Sequence, residues 1–152
     1  MLIAAKRPDL VDRVVVISAQ AEPTPAPGLT LALLRSTSGL ARVRWFARLQ
    51  ANELFIPPVL LDDYLRTSAA MTSQSLVAAV GENIRFTVPD RWSSFPGQAL
   101  ILAGSREKAL MRASAEALHA SLPGSALEFV QDAGHGIPLQ QPRLLGRRLQ
   151  QT

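Results

Sequence analysis

The last third of the chain alternates between two periodicities, and this alternation narrows the fold more than any other feature. "QALILAG", Gln98 to Gly104, is an apolar run ending in glycine, as in a strand buried on both faces. "REKALMRASAEALHASLPG" has apolar residues at helical spacing and stops at Pro123–Gly124. Its expected sheet-facing residues are Leu110, Ala113, Ala117 and Ala120, with Leu118 and Leu122 beside them. "ALEFVQDAG" reads as a second strand and "PLQQPRLLGRRLQQ" as a final helix. Strand, helix, strand, helix predicts parallel α/β architecture.

The opening segment belongs to the same pattern. "MLIAAKRP" reads as the last two turns of a helix stopped by Pro8. "RVVVIS", Arg13 to Ser18, reads as a strand buried on both faces, with Asp9 and Asp12 in the preceding turn. "AEPTPAPG", Ala21 to Gly28, is a proline-rich linker. From Leu29 to about Glu82 the sequence predicts helices only. "LTLALLRS" is one. "GLARVRWFARLQANELF" is another, with Leu40, Val43, Phe46 and Ala47 on one face and Leu49 and Leu54 at its edges. "PPVLLDDYLRTSAAM" starts a third after Pro57–Pro58. "TSQSLVAAVGEN" is a fourth, capped by Thr72 or Ser73. The expected organisation is a sheet-forming core from 1–28 and 84–152, interrupted by a helical block at 29–83.

Composition removes several classes of function. A hydrophobic content of 47% suits a globular chain, and 152 residues suffice for one domain with a real core. No apolar run approaches the roughly 18 residues of a membrane span, and no secretory pattern opens the chain. The expected location is the cytoplasm. The absence of cysteine excludes a disulfide framework and a thiolate metal site. His119 and His135 are too few for a histidine-rich metal cluster, so no metal is expected. The net charge of +4 comes from 14 Arg and 2 Lys, and the arginines are scattered. Arg42, Arg44 and Arg48, and Arg143, Arg147 and Arg148, lie on segments that read as solvated helix faces. Nucleic-acid binding is therefore not expected. Arginine excess with abundant alanine is what codon usage in a GC-rich, bacterial genome produces.

Functional residues of open parallel sheets gather at the carboxyl ends of the strands. Glu107 follows the first of the two late strands in "GSRE", and His135 follows the second in "QDAGH". Right-handed crossovers make such consecutive strands neighbours, which would bring the two residues together from 28 positions apart. Glycine on both sides of His135 allows positive φ and leaves the ring uncrowded. An imidazole so placed suits proton transfer near neutral pH. The alternatives are an ordinary turn for His135 and, for Glu107, a first-turn acid favoured by the helix dipole.

These segments resemble the alpha/beta-hydrolase family. There a strand ends in G-x-x-D or G-x-x-E, a helix and strand follow, and then G-H precedes an apolar residue and often proline. The chain has "AGSRE" and "DAGHGIPLQQP" at these places. "AAKRPDLVDRVVVISA" is similar to the stretch after the nucleophile, and the helical block at 29–83 corresponds to the variable cap. The resemblance covers nearly the whole chain. It implies an alpha/beta-hydrolase fold, a parallel sheet flanked by helices with an inserted helical cap. By matching position, His135 resembles the general base and Glu107 the acid that orients it. Asp132 is the competing acid, too close in sequence to His135. Ser105 and Ser114 read as capping or packing residues, and His119 as a surface residue. Trp45, Phe46, Phe55, Tyr64 and Met71 either line an acyl pocket or pack within the cap. The implied activity is hydrolysis of an ester or similar acyl bond in a small molecule, with no metal or organic cofactor.

The nucleophile motif Gly-x-Ser-x-Gly is missing. Ser18 ends a strand but lacks the flanking glycines, and no strand precedes "STSGL" at Ser38. The helix after the nucleophile takes about four turns, ~14 residues, and only seven residues precede Pro8. The serine is therefore expected upstream of Met1, in a longer protein of which this is the C-terminal part. The alternative is a non-catalytic member that binds a small ligand or a partner under the cap. An unpaired edge on "RVVVIS" would favour a homodimer or aggregation.

Overall fold

The computed structural model describes residues 1–22 and 24–151. These residues fall into two compact units, Met1–Glu22 with Thr87–Thr152, and Pro23–Phe86.

The first unit is built on three parallel strands, β1 (Arg13–Ile17), β2 (Gln98–Gly104) and β3 (Ala126–Val130), in the order β1-β2-β3. Gly104 pairs with Val130, so β2 and β3 finish together, and Ile17 pairs with Leu102, so β1 ends just short of them at the same edge of the sheet. The period-two alternation of strand side chains divides the core. On one face Val16, Ala99, Ile101 and Ala103 pack with Ala4 of α1 (Leu2–Lys6) and with Ala115, Leu118 and Leu122 from α6 (Ala109–Ser121) and its end. Trp92 and Phe95 join this face with stacked rings, 5.9 Å between centroids, and Trp92 is fully buried. On the other face Leu100, Leu102 and Val130 pack with Ile137 of α7 (Ile137–Gln140), and Leu144 and Leu145 of α8 (Pro142–Gln151) join them.

Three expectations for this unit need correction. β1 is buried only at Val16 and half-buried at Val14, Val15 and Ile17. Among the described residues it pairs with β2 alone, the unpaired edge that the sequence predicts. The buried face of α6 is Ser114, Ala115 and Leu118, whereas Ala113 and Ala120 are exposed and Leu110 and Ala117 half-buried. Alanines all round the helix hide its inner face, and Ser114, which reads as polar, is satisfied inside by the Glu22 N–H at 3.0 Å. The expected final helix is two helices. Gln141, ahead of Pro142, leaves the helical region with φ −133° and ψ 56°, as a following proline disfavours the helical conformation.

Every regular element of the second unit, among its described residues, is helical. The unit comprises α2 (Pro27–Thr37), a 3-10 turn (Ser38–Arg42), α3 (Arg44–Glu53), a 3-10 turn (Pro58–Leu60), α4 (Leu61–Ala70) and α5 (Ser73–Ile84). Of the expected linker, Pro23 lies outside the described residues, and Pro27 and Gly28 already belong to α2. Thr72 caps α5, its Oγ1 accepting from the Ser75 N–H at 3.0 Å. The expected face through Leu40 and Val43 does not form, because Val43 is extended and separates the 3-10 turn from α3. Ala47 and Ala51 are the buried residues of α3, and Leu40, Val43, Leu49 and Leu54 are exposed.

Candidate functional site

The carboxyl end of β2 leads into a tight turn, and Glu107 lies in that turn, before α6 begins at Ala109. It is not a first-turn helix acid. Its amide donates to the Gly104 carbonyl at 3.1 Å, which folds the side chain back over the strand end. The carboxylate is 1% exposed. Its Oε1 accepts from the Ser18 hydroxyl at 2.5 Å and from the Gly104 N–H at 3.2 Å. Its Oε2 is buried without a hydrogen-bond partner among the described residues.

His135 stands in the loop between β3 and α7, and this loop is tied to the Glu107 turn. The Ser105 Oγ accepts from the Asp132 N–H at 3.0 Å, and the Arg106 N–H donates to the Ala133 carbonyl at 2.9 Å. The Gln140 Oε1 accepts from the Gly134 N–H at 2.8 Å, and Gln141 donates from Nε2 to the Gln131 carbonyl at 2.9 Å. The glycines beside His135 are not used as expected. Among the described residues no glycine has positive φ, and the left-handed position of this loop is Asp132, at φ 58°. The decisive glycine is Gly104. A Cβ there would lie 2.2 Å from the Ala133 carbonyl oxygen and 2.7 Å from that of Gly134, so only glycine lets the histidine loop cross this close.

His135 Nδ1 lies 3.7 Å from Glu107 Oε2, an ion-pair contact longer than a hydrogen bond. The imidazole is half exposed and the carboxylate enclosed. Burial pushes the Glu107 carboxyl up, but His135, the Ser18 hydroxyl and the Gly104 N–H together hold it below its ordinary value. The Glu107 carboxylate raises the His135 pKa, against the opposing effects of burial and of Lys108. The arrangement holds an ionised acid against one ring nitrogen and turns the other nitrogen, Nε2, away from it. An imidazole held this way can take up a proton and be stabilised as the cation.

The other candidates are dispersed. Asp132 is exposed and contributes its backbone to the loop. Ser105 bonds the histidine loop, and Ser114 packs under α6. His119 is half-buried rather than a surface residue, with Nδ1 2.9 Å from the Ser125 hydroxyl. Trp45, Phe46, Phe55, Tyr64 and Met71 all belong to the second unit. Trp45 and Met71 are exposed, Phe46, Phe55 and Tyr64 half-buried. The Trp45 and Phe46 rings meet edge to face at 5.8 Å. Two cavities of that unit, about 370 Å³ beside Leu31 and Val77 and about 360 Å³ beside Ala47 and Leu65, are lined by none of these five. Among the described residues no three His, Asp or Glu side chains are grouped to hold a metal ion, and no helix is long and apolar enough to cross a membrane. Sequence reading missed Ser18 as a partner of Glu107. The available signal was its place at the end of a strand beside β2.

The model of the alpha/beta hydrolase family matches residues 1–147. No curated protein matches the chain. Among solved structures, NosK from Streptomyces actuosus is 23% identical, with a TM-score of 0.62 over 98% of this chain and 60% of its own. The enol-lactonase from Burkholderia xenovorans LB400 is 14% identical, with a TM-score of 0.76 over 97% of this chain and 58% of its own. A thermophilic esterase from Thermogutta terrifontis is 18% identical, with a TM-score of 0.70 over 97% of this chain and 57% of its own. The chain thus spans less than two thirds of the length of each.

Proposed function

This chain belongs to the alpha/beta hydrolase family, and we propose that it supplies the base and the acid of a serine hydrolase acting on an ester or lactone of a small molecule. His135 is the general base and Glu107 the acid that orients it. The serine nucleophile and the oxyanion donors lie outside these 152 residues, on the part of the fold that precedes β1. The block at 29–83 is the cap that selects the substrate, and Trp45, Phe46, Phe55, Tyr64 and Met71 are its candidate acyl contacts.

The observation that carries this reading is the 3.7 Å approach of a buried carboxylate to Nδ1 of a half-exposed histidine at the ends of adjacent parallel strands. With Nδ1 engaged, Nε2 is the nitrogen available to a serine hydroxyl. The lack of Gly-x-Ser-x-Gly in the sequence and the 57–60% coverage of the hydrolase structures both support a nucleophile elsewhere. The missing motif also favours a second reading, a non-catalytic member that binds a small ligand.

The test is hydrolysis of a short-chain p-nitrophenyl ester by this chain and by a form extended upstream through the nucleophile, each with a His135→Ala control. Activity confined to the extended form and abolished by His135→Ala is the expected result. Activity of the 152-residue chain alone would refute the placing of the nucleophile. Inactivity of both folded forms would favour the ligand-binding reading.

A further inference from the structure

We propose that Ser18 is a positioning residue for the acid: its hydroxyl fastens one oxygen of Glu107 and so reserves the other for His135. This rests on the reading of Glu107 and His135 given above.

Three observations carry it. First, the Ser18 hydroxyl donates to Glu107 Oε1 at 2.5 Å, across 89 positions of sequence. Oε1 also receives the Gly104 N–H, whereas Oε2, also buried, has no hydrogen-bond partner among the described residues and lies against the imidazole. The two ends of the carboxylate are thus differentiated, and the hydroxyl does much of it. Without Ser18 only the longer Gly104 N–H contact opposes rotation about the terminal torsion, which is broad and roughly two-fold.

Second, Ser18 has a φ of 49°. A left-handed backbone is costly for a residue with a Cβ and is the usual place of glycine. A strained serine whose side chain reaches a buried carboxylate is what a functional constraint looks like. Third, the backbone of Ser18 is tied to the sheet. The Ser18 N–H continues the β1–β2 ladder by donating to the Leu102 carbonyl at 2.9 Å. The hydroxyl therefore approaches from a fixed strand end. Two neighbouring charged groups act on other atoms. Lys108 acts on His135, and Arg112 donates to the backbone carbonyl of Glu107 rather than to its carboxylate.

The experiment follows the Glu107 carboxyl carbon by NMR against pH in the 152-residue chain, assigned with Glu107→Gln. Ser18→Ala, Ser18→Gly and Ser18→Thr are compared. Ser18→Gly is the informative variant, because it removes the hydroxyl while relieving the left-handed strain. The expected result is a Glu107 titration moved to higher pH in the Ala and Gly variants and returned toward the parent position in Ser18→Thr. In the extended form, Ser18→Gly should lower kcat about tenfold with KM little changed, the loss of one hydrogen bond to a charged group. An unmoved titration in folded Ser18→Gly, whether or not its stability rises, would overturn the proposal. So would loss of the fold in both Ala and Gly variants, which would make Ser18 a residue of the fold alone. An extended form inactive on esters would count against the proposed function and leave the titration result to decide on Ser18.

Discussion

Replacing Gly104 by alanine should damage the fold and the candidate site through one methyl group. Its Cβ would stand 2.2 Å from the Ala133 carbonyl oxygen, 2.6 Å from the Ala133 carbonyl carbon and 2.7 Å from the Gly134 oxygen. All three are backbone atoms, so no side chain can rotate away. The loop is held by Arg106 on the Ala133 carbonyl, by Ser105 on Asp132 and by Gln140 on Gly134. Either β2 bends or the histidine loop lifts. Overpacking by one methyl in a tight site costs about 1–3 kcal/mol, and losing the Arg106–Ala133 bond adds about 1 kcal/mol. The expected total is about 2–4 kcal/mol. Gly104 is not at positive φ, so backbone strain contributes nothing to this figure.

The assay is urea unfolding followed by the fluorescence of Trp92, fully buried in the same unit, in a Trp45→Phe background. Gly146→Ala is the control, since a Cβ there meets nothing within 4 Å and the site is in α8. It should be neutral or stabilise by up to about 1 kcal/mol. The His135 ring, followed by NMR, should titrate closer to its ordinary pH in Gly104→Ala, because a lifted loop widens the 3.7 Å contact. A Gly104→Ala protein within about 0.5 kcal/mol of the parent, the scatter of ordinary surface substitutions, and with unchanged His135 titration would refute the argument.

The Glu107–His135 pair also sets a pH dependence. Glu107 is held below its ordinary value, so its contribution is present above about pH 4.5 and lost as pH falls through the folded value. His135 is raised, so its contribution is complete below about pH 6.5 and lost as pH rises through the folded value. The pair therefore supports the fold most between these limits, and Glu107→Gln should flatten the falls of a urea-midpoint profile on either side of them; an unchanged profile would refute the coupling. Trp92→Ala should cost about 3–5 kcal/mol. Trp92→Phe should cost markedly less, because its Nε1 makes no hydrogen bond among the described residues and a phenyl ring can still stack on Phe95. Equal losses in thermal or urea unfolding would contradict that account.

Strong period and type were legible; facing was not. The apolar run 98–104, the strand after it and the helix between follow from periodicity, and the handedness of crossovers then makes Glu107 and His135 neighbours, while spacing alone left a first-turn helix acid as the equal alternative for Glu107. The inner face of α6 was hidden because Ala109, Ala113, Ala115, Ala117 and Ala120 spread small apolar residues around the helix. The burial of β1 was overread because a run of valines looks the same on an edge strand as in the middle of a sheet. Helix breaks at Val43 and Gln141 depend on single φ, ψ pairs, and only the second was signalled, by Pro142.

The parts of the site that could not be read share one cause: each depends on the register between strands. Glycines in "GHG" suggested left-handed backbone, yet those conformations fall to Ser18 and Asp132, and the glycine that matters is Gly104. Pairing Ile17 with Leu102 sets Ser18 level with the end of β2, where the Glu107 turn begins, and pairing Gly104 with Val130 brings the histidine loop across that turn. A slip of two residues in either pairing would preserve the side-chain alternation and the core pattern. It would separate Ser18 from Glu107 or lift His135 from it. Local patterns therefore specify the strands and their faces, while the contacts of the carboxylate depend on which residues stand opposite. The Gly104 clearance and the Ser18 hydroxyl each hold only in the observed register. Substituting them probes the placement of the candidate base and acid more directly than substituting His135 or Glu107, whose loss would remove the groups themselves.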